Sequence, residues 1–254
     1  MEFITGNKFK KIADYILDEN GFNKTNIINK IPIFFVKTDF INLFFERYLP
    51  SHPFKIITHN SDYPINESYS KYLNNENLIH WYGQNIAISN EKITSIPIGI
   101  ANEIWEHGNE QIILNEIDKG KTKTNLLYCN FDINTNPIER YKCLNSMSRN
   151  NIKMSERKNF GQYLSELNES YFCLSPNGNG VDCHKTWESM YFKTIPIVTK
   201  SININFYKNY PLLVIEDWEN FNFKNLTSEL YYNIINNSDY NLLTFEYYKQ
   251  IILN

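Results

Sequence analysis

Lys185 and Glu188 are the two side chains of this sequence whose types and spacing most directly suggest chemistry. They stand three residues apart, so in a helix they project from neighbouring positions. The segment before them, Ser175 to Gly180, is turn-forming, and its residues Gly178 and Gly180 can adopt a positive φ without steric cost. A glycine loop that opens onto a helix N-terminus presents free backbone N–H groups and the positive end of the helix dipole. The pattern therefore predicts a site that binds an anion.

The elements that must position this loop follow from the hydrophobic pattern around it. Tyr171 to Leu174 is a short apolar run that predicts a buried strand, and Ile195 to Val198 predicts a second one. Between them apolar residues recur at helical spacing, and Asp182 is a residue type that caps helices. The expected order is strand, loop, helix and strand.

Each of these residues also has a purely structural interpretation. Lys185 and Glu188 are spaced to form an ion pair on the helix surface, and an Asn-Gly-Asn-Gly loop is most often only a turn. Asp182, Cys183 and His184 are metal-ligand types, but three consecutive residues cannot all point at one ion, so no metal site is expected. No histidine relay is evident that would make Cys183 a nucleophile. His184 is expected in the loop or at the helix cap.

The length and composition of the chain limit the classes of protein to which it can belong. The chain has 254 residues, 42% hydrophobic and 15% aromatic, which suffices for one large or two compact domains. The net charge is −3, so no general attraction to nucleic acid is expected. Four cysteines without CxxC spacing favour reduced thiols. A signal-peptide pattern is lacking and no apolar run reaches about 18 residues, so we expect a cytoplasmic chain without a transmembrane segment.

Runs of strand length alternate with helical patterns along the sequence. Lys8 to Asn20 is a predicted helix that stops at Gly21. The predicted strands of the first part are Ile31 to Val36, Phe54 to Thr58, Leu78 to Trp81 and Ile93 to Ile98. Such alternation predicts βαβ units and a parallel sheet, whose ligands lie beyond the carboxyl ends of the strands. An acidic connector over residues 101–120 precedes a second α/β pattern, so the fold class is α/β with two Rossmann-like halves.

The stretch 171–198 resembles the exostosin family of glycosyltransferases. That pattern is an aromatic-rich strand, Leu-x-Pro-x-Gly, a basic residue three positions before Glu, and a run into Ile-Pro-Val-Val. Here it reads Leu174 to Gly178, then Lys185 to Glu188, then Ile195 to Val198. The family usually has Arg where this chain has Lys185, which keeps the charge but loses the bidentate fork. The α-1,3-fucosyltransferases have a similar layout and share the two-Rossmann-domain fold called GT-B. Weaker similarity extends over residues 54–102 and 125–140.

The resemblance implies a compact GT-B-type arrangement. Residues 1–115 would form the acceptor-side half and residues 116–254 the nucleotide-sugar-binding half, with the last helix crossing back onto the first half. The implied activity is transfer of a sugar from a nucleotide-sugar, with UDP as the expected nucleotide, to a glycan hydroxyl. Inversion is expected, and neither a metal ion nor a cofactor is required. The alternatives are a GDP-sugar-dependent, fucosyltransferase-like enzyme of the same fold and a non-catalytic module that binds nucleotides or carbohydrates.

The resemblance also assigns roles on the donor side. Basic side chains and the loop N–H groups would stabilise the leaving diphosphate, and Glu188 would accept hydrogen bonds from the ribose. Arg140 is a candidate for this task, although it could equally be a solvated helix arginine. The expected donor-binding residues are Arg140, Ser175, Pro176, Asn177, Gly178, Gly180, His184, Lys185 and Glu188.

The acceptor side needs a general base that takes the proton of the attacking hydroxyl. Asp62 is the expected base, with His59 as its substitute, because both follow a predicted strand. The same polar cluster could simply form an Asx-turn, and Asp39 and Glu103 are the other possible bases. Three aromatic residues are candidates to stack on a sugar, namely Trp81, Tyr82 and Trp105, although Trp81 is expected in the core.

Overall fold

A computed structural model describes residues 2–254 and shows an α/β protein with two sheets. The first sheet has six strands: β1 Tyr15–Asp18, β2 Gly21–Lys24, β3 Ile33–Lys37, β4 Phe54–His59, β5 Leu78–Gly83 and β6 Ile93–Ser95. Their order is β2-β1-β3-β4-β5-β6, with β2 antiparallel to β1 and the other neighbours parallel. The first helices are α1 Gly6–Lys11, α2 Ile41–Arg47, α3 Ser70–Leu73 and α4 Glu110–Asp118.

The second sheet has four parallel strands in the order β10-β9-β8-β7. They are β7 Asn125–Tyr128, β8 Ser170–Leu174, β9 Ile195–Thr199 and β10 Leu213–Ile215. The remaining helices are α5 Pro137–Arg149, α6 Phe160–Asn168, α7 His184–Tyr191, α8 Ser228–Asn236 and α9 Phe245–Leu253. A mixed six-stranded sheet and a parallel four-stranded sheet, both connected by helices, confirm the α/β class and are consistent with Rossmann-like halves.

The predicted helix over Lys8 to Asn20 is wrong. Only α1 is helical, and the chain then enters the β1–β2 hairpin, where Gly21 has a φ of +88° at the turn. Tyr15 pairs in parallel with Phe34 of β3, and the two rings stack at 4.7 Å between centroids. Apolar residues at helical spacing thus lie in a strand, because there Tyr15 packs against an aromatic ring of the neighbouring strand.

The two halves share a core. One cluster of buried residues contains side chains of both, among them Phe9, Ile57 and Tyr82 of the first half and Trp187 and Tyr191 of the second. Two further clusters lie within the separate halves. The boundary expected at 115/116 falls inside α4, whose Glu116 carbonyl accepts a hydrogen bond from Asn168 of α6 at 2.8 Å.

The last helix packs on the first half. The Lys55 ammonium donates to the carbonyl oxygen of Ile252 at 2.8 Å, and the Tyr82 hydroxyl donates to that of Ile251 at 3.1 Å. Phe9 lies against Phe245, with 5.3 Å between the ring centroids. The crossing back of α9 onto the first half is therefore confirmed.

Strand register brings the loops that follow the strands to one edge of each sheet. Lys37 of β3 lies opposite His59 of β4, and Gly83 of β5 lies opposite Ser95 of β6. Since all these strands run parallel, the segments after His59 and Gly83 emerge side by side. Asn85, after β5, and Ile98, after β6, both form hydrogen bonds with Asp182, which follows β8. The carboxyl edges of the two sheets therefore meet, and the candidate site lies between them.

Candidate functional site

Two neighbouring cavities occupy the space between the carboxyl edges. The larger, of about 510 Å³, is called the basic cavity; its charged wall residues are Arg140, Arg157, Lys158, Lys185, Asp132 and Glu188. The smaller, of about 310 Å³, is called the amide-lined cavity; its polar wall residues include Asn60, Gln84, Asn102, His59 and Asp62. Trp105 and His184 line both, so the cavities are adjacent sections of one cleft.

The N-terminus of α7 opens into the basic cavity. His184 and Lys185 are its first two residues, and both line that cavity. Cys183 occupies the cap position, and no side chain accepts a hydrogen bond from the first turn. The first amides of a helix have no intrahelical acceptor and carry the positive end of its dipole. This end of α7 is therefore suited to an anion.

Lys185 and Glu188 lie in the wall of the basic cavity and not on an open surface. Glu188 is only 4% exposed, and the hydroxyl of Tyr163 donates to its Oε2 at 2.5 Å. The Lys185 ammonium stands 5.8 Å from the centre of the Tyr163 ring. Burial lowers the pKa of Lys185, although the nearby Glu188 opposes the shift. A surface ion pair does not describe this arrangement, because the carboxylate is buried and is held by a tyrosine.

The burial of Tyr163 keeps its hydroxyl a hydrogen-bond donor. Burial and the Glu188 charge raise the pKa of Tyr163 well above its ordinary value. Tyr163 thus fixes one oxygen of Glu188, and the Glu188 side chain still lines the basic cavity. A carboxylate held in this way can accept hydrogen bonds from a ligand at its remaining lone pairs.

Arg140 connects α5 to the glycine loop. Its Nε donates to the Asn177 carbonyl oxygen at 3.0 Å, and another guanidinium nitrogen donates to the Asp132 carbonyl. Asn136, the N-cap of α5, donates from its side chain to the Gly178 carbonyl at 2.8 Å. Arg140 is therefore held in place by backbone oxygens and lines the basic cavity; it is not a freely solvated helix arginine.

The loop from Ser175 to Gly180 supports the site and is not among the residues that line the basic cavity. Ser175 is buried and shares a 2.8 Å hydrogen bond with the Thr186 hydroxyl. The Gly178 amide donates to the Gly180 carbonyl at 3.1 Å and to the Cys183 sulfur at 3.0 Å, so it is already satisfied. The donor-binding role of Ser175, Pro176, Asn177, Gly178 and Gly180 therefore stays a prediction.

Close approach, and not a positive φ, explains the two loop glycines. Neither has a positive φ. A Cβ on Gly180 would lie 2.5 Å from the Nδ2 of Asn85, and a Cβ on Gly178 would lie 3.2 Å from a guanidinium nitrogen of Arg140. A Cβ at position 180 would displace the Asn85 side chain, whereas a Cβ at position 178 would be a tight contact with the end of Arg140.

Asp182 does not cap α7, contrary to the sequence-based expectation. Its Oδ2 accepts from the backbone N–H of Ile98 at 2.8 Å, and its Oδ1 accepts from the Trp187 indole at 2.7 Å. Its own N–H donates to the side-chain oxygen of Asn85 at 2.9 Å. Burial raises the pKa of Asp182 to about 7. Asp182 thus ties the start of α7 to the first half.

His184 stands where the two cavities meet. Its Nδ1 lies 2.8 Å from the Gly99 carbonyl oxygen, which can only accept, so Nδ1 carries the proton. The position of Gly99 is itself constrained, with a φ of +67° and with the Ile4 carbonyl 2.0 Å from where a Cβ would stand. The neutral imidazole therefore presents Nε2 as an acceptor.

His59 and Asp62 both line the amide-lined cavity but differ in availability. His59 is 1% exposed, its Nε2 lies 3.0 Å from the Pro97 carbonyl, and its Nδ1 accepts from the Asn60 amide at 2.7 Å. Burial lowers the pKa of His59 to about 4. Asp62 is exposed and accepts from the Asn179 side chain at 3.1 Å. The geometry therefore favours Asp62 over His59 as a proton acceptor.

The remaining candidates for sugar stacking, proton transfer and nucleophilic attack differ in burial and in whether they line the two cavities. Trp105 is 62% exposed and borders both cavities, whereas Trp81 is fully buried. Glu103 is bound by the Asn7 side chain at 3.2 Å and lines neither cavity. Asp39 lies in a separate groove beside Asp62. Burial raises the pKa of Cys183 to about 11, which keeps its thiol protonated.

Several residues of the basic cavity escape prediction from the sequence. Arg157 and Lys158 precede α6, and a basic pair before a helix is a weak signal that could have marked them. Tyr163 shows no signal at all, because its role depends on contact with Glu188, 25 positions away. His107 belongs to the acidic connector and packs against Phe160 at 4.8 Å between ring centroids.

Comparison with known proteins adds no assignment, since neither models of protein families nor curated protein sequences match the chain. Within residues 2–254, no group of three or more His, Cys, Asp or Glu side chains is arranged to hold a metal ion. None of the helices in the described part of the chain has the length and apolar character needed to span a lipid bilayer.

Proposed function

We propose that the protein is a glycosyltransferase that moves a sugar from a nucleotide-sugar, with UDP as the expected nucleotide, to a glycan hydroxyl. The observation that carries the proposal is the basic cavity. Arg140, Arg157 and Lys185 line it together with the uncapped N-terminus of α7, in a chain whose net charge is −3. Such a concentration of positive charge between two α/β sheets suits a ligand with a diphosphate group.

The arrangement also fits the chemistry of the transfer. When the bond from the sugar to the diphosphate breaks, negative charge develops on the leaving oxygen. Lys185 and the first amides of α7 are positioned to stabilise that charge before the reaction begins. These groups supply the charge that a metal-independent mechanism requires. Glu188, held by Tyr163, is the acceptor for ribose hydroxyls.

The proposal includes a compact GT-B-type arrangement. Donor-side residues belong to the second sheet and its helices, while His59 ends β4 of the first sheet and Asn60 and Asp62 follow that strand. A shared core holds the halves together, and α9 lies against the first half. The acceptor enters from the first half, and inversion follows if its hydroxyl attacks opposite the leaving diphosphate.

Calorimetric titration with UDP, GDP and dTDP, with and without EDTA, tests the donor site. We expect UDP to bind in EDTA, and we expect Lys185→Met and Glu188→Gln to weaken binding at least tenfold. Lys200→Met is the matched control, because Lys200 is an exposed lysine paired with Glu216 outside both cavities. A preference for GDP would replace the donor assignment with the fucosyltransferase-like alternative.

Turnover separates an enzyme from a binding module. Release of nucleoside diphosphate from a panel of nucleotide-sugars, with methyl glycosides as acceptors, should occur in the parent and disappear in Lys185→Met. Nucleotide binding without any turnover would favour the non-catalytic module. If none of the three nucleotides binds, the assignment of the basic cavity is wrong.

A further inference from the structure

His184 has the geometry of a general base. Its Nδ1–H is fixed by the Gly99 carbonyl at 2.8 Å, so its other ring nitrogen is the one with a free lone pair. Among residues 2–254 Nε2 has no hydrogen-bond partner, and it is not one of the fully buried polar atoms. The imidazole lines both cavities and therefore stands between a ligand in one and a ligand in the other.

The amide-lined cavity suits a neutral, hydroxyl-rich ligand. Gln84 is 1% exposed, lines this cavity, and its side-chain oxygen has no hydrogen-bond partner in the described chain. Neither Lys nor Arg is among the described residues of its wall. A buried amide oxygen without a partner is costly, and a ligand hydroxyl would remove that cost. Trp105, exposed on the rim, offers an apolar face for a sugar ring.

The other proton acceptors are less well placed. Both ring nitrogens of His59 are engaged, one by the Pro97 carbonyl and one by the Asn60 amide. Asp62 accepts a hydrogen bond from Asn179 and lines the amide-lined cavity and a separate groove, but it does not line the basic cavity. His184 is the proton acceptor that borders both the donor and the acceptor space.

We infer that His184 is the catalytic base, and that it acts on a hydroxyl of a neutral sugar bound in the amide-lined cavity. Nε2 takes the hydroxyl proton as the oxygen forms a bond to the anomeric carbon. The bond from that carbon to the diphosphate oxygen breaks, and its electron pair leaves with the nucleoside diphosphate. The proton remains on the imidazolium and passes to solvent after product release. This inference rests on the proposed function.

His184→Asn is the decisive variant, because the Asn amide can still donate to the Gly99 carbonyl but has no basic nitrogen. The assay measures kcat for nucleoside diphosphate release with methyl glycosides of glucose, galactose and mannose, and separately the Kd of UDP. We expect kcat to fall by about 100-fold or more, with the Kd of UDP within threefold of the parent. Added imidazole should restore part of the rate in His184→Ala.

Asp62→Asn is the competing variant, and we expect its kcat to fall at least tenfold less than that of His184→Asn. A fall of less than tenfold in His184→Asn, or a larger fall in Asp62→Asn, overturns the assignment of the base. Failure of imidazole to restore His184→Ala also argues against it. These results leave donor binding intact and so differ from failure of the proposed function, in which the parent itself would bind no nucleotide or release none.

Discussion

The carboxylate of Asp182 accepts a hydrogen bond from the backbone N–H of Ile98, 84 positions away, at 2.8 Å. The same carboxylate accepts from the Trp187 indole at 2.7 Å, so one side chain connects α7 to the segment after β6. His184 repeats the connection through the Gly99 carbonyl. The start of α7 is thus fixed against the first half, and its position in the cleft does not depend on the glycine loop alone.

Asp182→Asn should lower the free energy of unfolding by about 2 kcal/mol. The amide replaces one accepting oxygen with a donor, which leaves an N–H of Ile98 or Trp187 facing another N–H in a buried site. Urea denaturation measures the change. Asp118→Asn, at an exposed position at the end of α4, is the control and should stay within about 0.5 kcal/mol of the parent. Equal unfolding midpoints for the two variants would contradict this account of Asp182.

Gly180→Ala should destabilise the protein by about 1–3 kcal/mol, because the added methyl would meet the buried Asn85 side chain at 2.5 Å. Asn85 also binds the Asp182 amide, so nucleotide affinity should fall as well. Gly161→Ala gives the matched comparison, since a Cβ there meets its nearest neighbour at 3.7 Å. Gly161 lies in α6, where alanine should stabilise by up to about 1 kcal/mol. Thermal unfolding of both variants tests the contrast in sign.

Arg157→Ala should weaken UDP binding about tenfold, or about 1.4 kcal/mol, without changing thermal stability. Arg157 is exposed and lines the basic cavity, so its charge is available to a diphosphate. Arg149→Ala removes an equally exposed arginine from α5, away from the described cavities, and should leave the Kd unchanged. If the two variants bind UDP alike, Arg157 takes no part in donor binding.

His59→Gln should make the free energy of unfolding fall less steeply as the pH is lowered below neutral. Burial lowers the pKa of His59 from 6.5 to about 4, so the unfolded chain takes up this proton at a higher pH than the folded chain. The His59 contribution is therefore complete above pH 6.5 and is lost as the pH falls towards 4. The loss amounts to roughly 3 kcal/mol over that window. Burial raises the pKa of Asp182 to about 7, so Asp182 changes the stability with pH in the opposite direction. It is present in both the parent and His59→Gln, so it does not affect their difference.

Denaturation of parent and His59→Gln between pH 4 and pH 7.5 measures the difference. The glutamine amide can still donate to the Pro97 carbonyl, so the two proteins should differ mainly in slope. Parallel stability curves across the acid range would show that folding does not lower the pKa of His59.

The strand, loop, helix and strand over residues 171–198 could be predicted from the sequence, because each element depends on local patterns. The strands Ser170–Leu174 and Ile195–Thr199 lie within one residue of the predicted bounds, and the helix, predicted over residues 182–192, spans His184–Tyr191. The β1–β2 hairpin could not be predicted, since the stacking of Tyr15 on Phe34 outweighs the helical spacing of its residues.

Within the candidate site, the sequence indicates residue types but not their contacts. Lys185, Glu188, Arg140 and His184 lie together in the basic cavity as expected. The reason for Gly180 could not be found, because the atom that excludes a Cβ belongs to Asn85, in the loop that follows β5 of the first sheet. Tyr163 and Arg157 line the basic cavity only once α6 has packed beside α7 in the folded protein. Such contacts depend on tertiary packing, which local spacing does not encode.

The contact between Lys55 and Ile252 has a consequence for synthesis on the ribosome. The two residues are 197 positions apart, so β4 emerges long before the helix that contacts it. At about 5–20 residues per second, the interval is on the order of 10–40 s. During that time Phe9 lacks the rings of Phe245 and Tyr248 that later cover it. In the nascent first half the Phe9 ring therefore stays without these two contacts until α9 is translated.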